Sequence, residues 1–491
     1  MGLLIDETRR LAEQVVAAAE GTPAAVDAER ILRSLDEPLR VAIAGRLKAG
    51  KSTLLNALVG DELAPTDEGE CTSIVTWYRD GPTYRVTLCP RDGEPRQVRF
   101  KKEGGAVEVD LGGTSPEDVD RLLVDWPSQA LRTTTLIDTP GIGSILATGS
   151  ARTIEFLTPE DERANEADAV LYLMRHVHAS DVRFLEAFHD DELAQATPIN
   201  AIGILSRADE IGAARLDALD SARRVAEHYR SDPRVRRLCF TVVPVAGLLA
   251  KSGATLREPE FQAFRSLAAC PPDEIDALLL SVDRFTTSDS TSGIEPVERE
   301  VLLERYGIYG VRVAIDLVRS GTVANARQLA QHLVELSGLD DLRRLLAGCF
   351  ASRRGVLKSR SALLGVDQLL RAHGAALADA DTLLAEAERV RAGAHELSET
   401  RLLGALRTGA VELQGADVDD TERLLGAQGD RPATRLDLPE DAADDELRGR
   451  AVEALTRWRR QAESPRSSPA DVDTARILVR TCEGLLAALA R

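Results

Sequence analysis

Residues 41–58 constrain this chain more than any other stretch. They read as a short apolar strand, a loop bounded by Gly45 and Gly50, and then an amphipathic helix. Gly45, four residues, Gly50, Lys51 and Ser52 fit the phosphate-binding loop, and the strand before and the helix after supply the context that pattern needs. Glycines let backbone N–H groups turn inward around a β-phosphate, and the following helix points its positive end at the same anion. Gly45, Lys48, Ala49, Gly50, Lys51, Ser52 and Thr53 are therefore the candidate phosphate cradle. Lys51 neutralises β/γ oxygens there, and the Ser52 hydroxyl completes a Mg²⁺ shell.

At 491 residues the chain exceeds one ordinary core, so two or three domains are expected. Hydrophobic residues at 44% and charged residues at 29% describe a soluble globular protein, and only 4% aromatics with abundant Ala and Leu leans it helical. A net charge of −19 argues against nucleic acid as a partner and against simple electrostatic docking on anionic lipid. The six cysteines show no C-x-x-C pairing, which points to a reducing compartment. The N-terminus lacks a signal-peptide pattern and no apolar run approaches the ~18 residues a span requires, so a cytoplasmic protein with at most peripheral membrane contact is expected.

Two helices are expected before the first strand, over 3–20 and 24–35, the first with an apolar stripe of Leu4, Leu11 and Val15. From 39 to about 251 strands and helices alternate. Strands are expected over 40–44, 74–78, 85–89, 98–102, 134–137, 169–173, 200–205 and 239–243, and helices over 51–59, 116–126, 180–190 and 215–230. Alternation of this kind implies an α/β domain with a largely parallel sheet and helices on both faces. The 84–109 region reads as an antiparallel insertion or edge. Beyond a turn-rich junction at 286–293 only helices are expected, and leucines from Leu363 to Val390 keep near-heptad spacing. Such helices make an all-α bundle or stalk.

Three further motifs refine the nucleotide reading. The strand ending in Asp138 runs into Thr139, Pro140 and Gly141, the expected second half of a GTPase phosphate site. Asp138 holds a Mg²⁺-bound water there, and the Gly141 N–H contacts the γ-phosphate. In the intervening loop Thr72 is the better candidate for the threonine that caps Mg²⁺ and the γ-phosphate, with Thr76 as runner-up. After the strand at 200–205 come Ser206, Arg207 and Asp209 where GTPases place Asn/Thr-Lys-x-Asp. The Asp209 carboxylate accepts from guanine N1 and the exocyclic amine, and Arg207 stacks on the ring. Ala246 is a further backbone contact to guanine. GTP/GDP with Mg²⁺ is thus favoured over ATP.

A phosphate loop, a threonine switch, the Asp138–Gly141 turn and a degenerate base motif, followed by a long helical stalk, resemble the dynamin superfamily. Within it the chain is similar to the isoniazid-inducible dynamin-like proteins of mycobacteria. That likeness is carried by residues 45–53, 64–67, 74–77 and 206–212, and outside the nucleotide fold by 281–285, 303–310 and 337–339. The resemblance implies N-terminal helices (1–37) packing with a stalk, a GTPase (G) domain (38–290) and a helical neck or stalk (291–491). It also implies GTP hydrolysis, homo- or heterodimers with another dynamin-like protein through the G domains, and membrane lipid association or remodelling.

Dynamins usually place Gln-Ser at the third and fourth positions of the loop, counting Gly45 as the first, where this chain has Leu47 and Lys48. Leu47 cannot orient water. Lys48 occupies the place of the internal arginine finger of guanylate-binding proteins, which makes it a candidate catalytic cation beside Lys51 and Thr72; the alternative is a solvent-facing lysine. His176 and His178 read as a loop at the dimer interface rather than a metal pair. The basic run Arg343, Arg344, Arg353, Arg354, Lys358 and Arg360 reads as a solvated helix face in preference to a lipid contact. Two function classes result, a mechanochemical GTPase that remodels membrane and a weakly hydrolysing GTP-regulated partner of a second dynamin-like chain.

Overall fold

In the computed structural model of the chain, the described residues are 3–45, 48–64, 74–103, 106–139, 167–175, 200–212, 214–351, 353–377, 379–411, 413 and 418–490. The strands among them are β1 (Leu39–Gly45), β2 (Thr76–Arg79), β3 (Arg85–Pro90), β4 (Arg96–Val98), β5 (Phe100–Glu103), β6 (Ala106–Val109), β7 (Val119–Asp125), β8 (Thr134–Asp138), β9 (Ala169–Met174), β10 (Ala201–Ser206) and β11 (Val242–Val245). Nine of them form one sheet in the order β11-β10-β9-β1-β8-β2-β7-β3-β4, and β5 pairs with β6 as a separate hairpin.

From β11 to β8 every pairing is parallel. β2 then runs antiparallel to β8 and parallel to β7, and β3 and β4 finish an antiparallel edge. β1 lies at the point where the strand order turns outward in both directions, which is where a doubly wound sheet opens a crevice at its carboxyl ends.

One expectation fails here. Residues 116–126 are not a helix: Pro116–Asp118 make one 3₁₀ turn and Val119–Asp125 is β7, in the middle of the antiparallel extension. Pro116 followed by two acids imitates a helix start. The alternation of buried Leu122, Val124 and Trp126 with half-exposed Arg121 and Leu123 is the period of a strand, and that is what the sheet uses.

Both sheet faces are apolar and covered. On one, Val41, Ile43, Leu171 and Leu173 pack on α3 (Lys51–Val59) and run without a break into Leu403, Trp458, Leu478 and Leu485 of the C-terminal helices. On the other, Ala42, Ala44, Val170 and Tyr172 pack on helices Ala218–Ser231, Glu258–Ala269 and Pro296–Arg319. No strand is found beyond Pro296 among the described residues, and the chain ends in a helical pair, Asp444–Glu463 and Pro469–Leu489. The leucine-rich run divides into two helices, Arg354–His373 and Ala380–Gly393. Against them lie α1 (Leu3–Ala19) and α2 (Ala25–Ser34), with Leu4, Leu11 and Val15 buried among Leu363, Val366 and Leu383.

The amino end of the sheet carries a buried ion cluster. Asp168 accepts from the Arg40 backbone N–H at 2.8 Å, from Arg40 Nη2 at 2.8 Å, and pairs with Lys358 Nζ at 2.8 Å; Asp168 and Lys358 side chains are both 0% exposed. This corrects the reading of the basic run. Arg343 and Arg344 do pair with the nearby acids Asp340 and Asp341. Lys358 is instead sealed on Asp168, Arg353 donates to the Leu425 carbonyl and lies over the Phe240 ring, and Arg354 donates to the Asp36 and Glu37 carbonyls. Lys358 and Arg354 tie the helical region to the sheet and to the turn between α2 and β1.

Candidate nucleotide-binding site

Gly45 ends β1 with φ 150°, and a Cβ there would stand 2.6 Å from the Leu173 carbonyl oxygen, so only glycine lets β1 turn away beside β9. Lys48 (φ 60°) and Gly50 (φ 93°) are both left-handed, and Gly50 leads directly into α3. Lys51 Nζ reaches back to the Gly45 carbonyl at 3.5 Å. Burial pushes the Lys51 ammonium below its ordinary range, against the pull of Asp138. Thr139 Oγ1 donates to the Ile43 carbonyl at 2.9 Å and so fixes the end of β8 beside the loop.

Asp138 Oδ2 accepts from Ser52 Oγ at 3.3 Å. Its Oδ1 is buried and takes no hydrogen bond among the described residues. Burial pushes this carboxyl up to about 6, with Lys51 and the Ser52 bond only partly opposing. An orphaned buried oxygen next to a hydroxyl is a donor set that suits a hard cation or a water bound to one. The residues therefore fit Mg²⁺.

At the other end, Ser206 closes β10 with its hydroxyl on the Met174 carbonyl at 3.3 Å. Arg207, left-handed at φ 53°, spans from Glu210 (2.7 Å) to the Lys48 carbonyl (3.1 Å), joining the base loop to the phosphate loop. Asp209 is 8% exposed, and burial raises its pKa. Ala49, Gly50, Thr53, Ser206, Arg207 and Asp209 all line one cleft of ≈ 190 Å³ at the carboxyl ends of the strands.

Ala246 does not line this cleft. It is fully buried and its N–H donates to the Ser337 carbonyl at 2.9 Å; Gly247 and Leu248, at the start of helix Gly247–Ala254, form that wall instead. Leu47, Thr72, Gly141, His176 and His178 lie outside the described residues, while Thr76 is a buried residue of β2. Asn56, which the motif reading passed over, is 2% exposed on α3. Its amide accepts from Leu63 N (2.9 Å) and Ala64 N (2.8 Å) and donates to the Ala64 carbonyl (2.9 Å), anchoring the chain eight residues before Thr72. An amide on the otherwise apolar inner face of a helix was the available signal.

A largely parallel sheet, a glycine-bounded loop leading into a helix, a Ser–Asp pair beside that loop and a cleft shared by the loop with Arg207 and Asp209 define a phosphate-loop nucleotide-binding protein with a helical appendage. The family model of the dynamin family matches residues 41–205, a stretch that includes the glycine-bounded loop, Ser52 and Asp138 and stops just before Ser206. The chain belongs to the dynamin family. It is 38% identical to the isoniazid-induced protein IniC of Mycobacterium tuberculosis, over 98% of each chain. It is also 31% identical to a bacterial dynamin-like protein of Nostoc punctiforme over 28% of this chain and 20% of that one. A solved bacterial dynamin pair aligns with 99% of this chain and 79% of its own at 13% identity, with a TM-score of 0.31.

Proposed function

We propose that this chain is a dynamin-like large GTPase that binds and hydrolyses GTP with Mg²⁺, pairs through its G domain with a like or related chain, and couples that cycle to membrane association or remodelling. The observation that carries the reading is that the phosphate loop and the candidate base residues share one cleft: Ala49, Gly50 and Thr53 line it together with Arg207 and Asp209, Arg207 donates to the Lys48 carbonyl, and Ser52 at the start of α3 bonds Asp138. Mg²⁺, when bound, neutralises charge on the β/γ oxygens, and Ser52, Asp138 and Thr72 are the residues that would hold it. Lys51, half-buried at the start of α3, neutralises phosphate charge. Asp209 accepts from guanine N1–H and the exocyclic amine, with Arg207 over the ring, while Gly141 gives its N–H to the γ-phosphate. Lys48, held left-handed beside the triphosphate, supplies the positive charge that an ion or a partner's arginine brings elsewhere.

The division into N-terminal helices (1–37), G domain (38–290) and helical region (291–491) belongs to the same proposal, as does a site of action at the cytoplasmic face of a membrane. Competition binding of GTP against ATP tests the base assignment: equal competition overturns it. GTP turnover of Lys48→Ala with and without K⁺ tests the finger, and an unchanged rate in both conditions removes it. The second reading, a weakly hydrolysing partner without membrane activity of its own, is favoured by one observation: Arg353, Arg354 and Lys358 serve internal bonds rather than a lipid-facing patch. Among the described residues no helix is long and apolar enough to cross a membrane. Liposome flotation with and without GTP separates the two readings, and failure to bind any lipid mixture selects the second.

A further inference from the structure

Both loops that would surround the base rest on main chain supplied from the helical region. Helix Pro296–Arg319 breaks at Gly307, where φ 64° and ψ 171° belong to a region open essentially to glycine alone. The break carries the backbone directly behind the base loop. A Cβ on Gly307 would stand 4.0 Å from Asp209 Oδ2 and 3.4 Å from Leu248 Cδ2. Each half of the broken helix is tied to a segment that continues from a different wall of the cleft. Before the break, Ser252 Oγ of helix Gly247–Ala254 donates to the Arg305 carbonyl; after it, Arg312 donates to the Ala214 carbonyl, just past Asp209, and to the Leu279 carbonyl at 2.8 Å.

The second loop is held the same way. The turn between helices Ala326–Leu336 and Leu339–Leu345 has Gly338 at φ 78°, and a Cβ there would stand 2.4 Å from the Pro244 carbonyl oxygen. The residue before it, Ser337, takes the Ala246 N–H at 2.9 Å. An L side chain at Gly338 must push the Pro244 carbonyl away, and one at Gly307, whose Cβ would meet only ordinary contacts, must distort the backbone behind Asp209 and Leu248. A guanine carboxylate contact depends on sub-ångström placement, because a donor that misses its acceptor is left unpaired in a dry site.

We infer that Gly307 and Gly338 are positioning residues for base recognition: neither touches the nucleotide, and each holds one wall of the base pocket at the distance guanine requires. The inference rests on the nucleotide reading above and extends it, since the chain beyond residue 290 then sets base specificity rather than only receiving a signal. Guanine recognition and the attitude of the broken helix become one equilibrium, read in either direction.

The test compares GDP with IDP, which share ribose and phosphates and differ only in the exocyclic amine Asp209 would read. Dissociation constants are measured calorimetrically for the full chain and for Gly307→Ala, Gly338→Ala and Gly81→Ala. In the last, the new Cβ would stand 2.8 Å from Asp125 Cβ at the far side of the sheet, so it reports general destabilisation. Gly307→Ala and Gly338→Ala are expected to lose about tenfold of the GDP-over-IDP preference, while Gly81→Ala melts earlier with its preference intact. If the native chain discriminates and both cleft variants keep its ratio, the inference is overturned and the nucleotide reading stands. A native chain with no preference for GDP overturns both. Should the variants fail to fold, hydrogen exchange on the native chain decides: GDP is expected to protect residues 305–310 and 337–340 more than IDP does, and equal protection overturns the inference.

Discussion

Asp138 closes β8 at the carboxyl end of the sheet, and Asp168 precedes β9 at its amino end, so that both flank β1. Asp168 has more partners than it needs: burial alone would raise its pKa, but Arg40 and Lys358 outweigh that and hold it down at about 2. Asp138 has too few, with one oxygen unbonded among the described residues and a carboxyl pushed up to about 6 by burial. Among the described residues of one sheet, a saturated buried carboxylate binds the fold together, and one that keeps an unbonded oxygen suits chemistry.

The largest expected effect is on the saturated end. Asp168→Ala leaves Arg40 and Lys358 buried without their anion and should cost about 3–5 kcal/mol in urea unfolding. An unchanged midpoint would break the comparison. Next, Asp138→Asn should lower GTP turnover on the order of a hundredfold while leaving the melting temperature equal or higher, since it removes an under-paired buried charge. Retained turnover, or a loss of stability like that at Asp168, would show that the two ends are not different in kind.

Acid sharpens the contrast. With Asp168 at about 2 in the fold against an ordinary value of 3.8, its contribution is fully present above 3.8 and is lost as pH falls towards 2. The stability gap between the native chain and Asp168→Asn should therefore narrow by about 2 kcal/mol between pH ~5 and pH ~2. A gap that stays constant would mean that the cations alone hold this end. The smallest effect belongs to Lys358→Met, expected at about 1 kcal/mol because Asp168 keeps the two-point bond to Arg40. A loss equal to that of Asp168→Ala would make Lys358, not Arg40, the main partner.

The phosphate end is legible in the sequence because its constraints are local: glycine spacing, a lysine and a serine within eight residues, and an aspartate at a strand end. Asp168 carries no such mark. Its cations come from β1 and from helix Arg354–His373, and the latter reads locally as part of a solvated basic face. Ala246 shows the same limit in reverse, for its local pattern is right while its N–H goes to Ser337, which only the tertiary fold brings near. Residues 116–126 misled because a proline and two acids outweigh a strand period visible over only a few positions. Gly307 sits inside a stretch helical on both sides, and only the left-handed backbone shows that the helix breaks there.

The packing of α1 and α2 has a consequence for how the molecule is made. Among the described residues, their apolar faces close on each other and on residues between Val356 and Leu397. At roughly 5–20 residues per second, a ribosome needs tens of seconds to deliver those helices after the first has emerged. Throughout that interval the N-terminal stripe must wait in a growing chain with its eventual partners still unmade. The apolar faces of α1 and α2 are thus sheltered only long after they are made, by helices that lie far downstream in the chain.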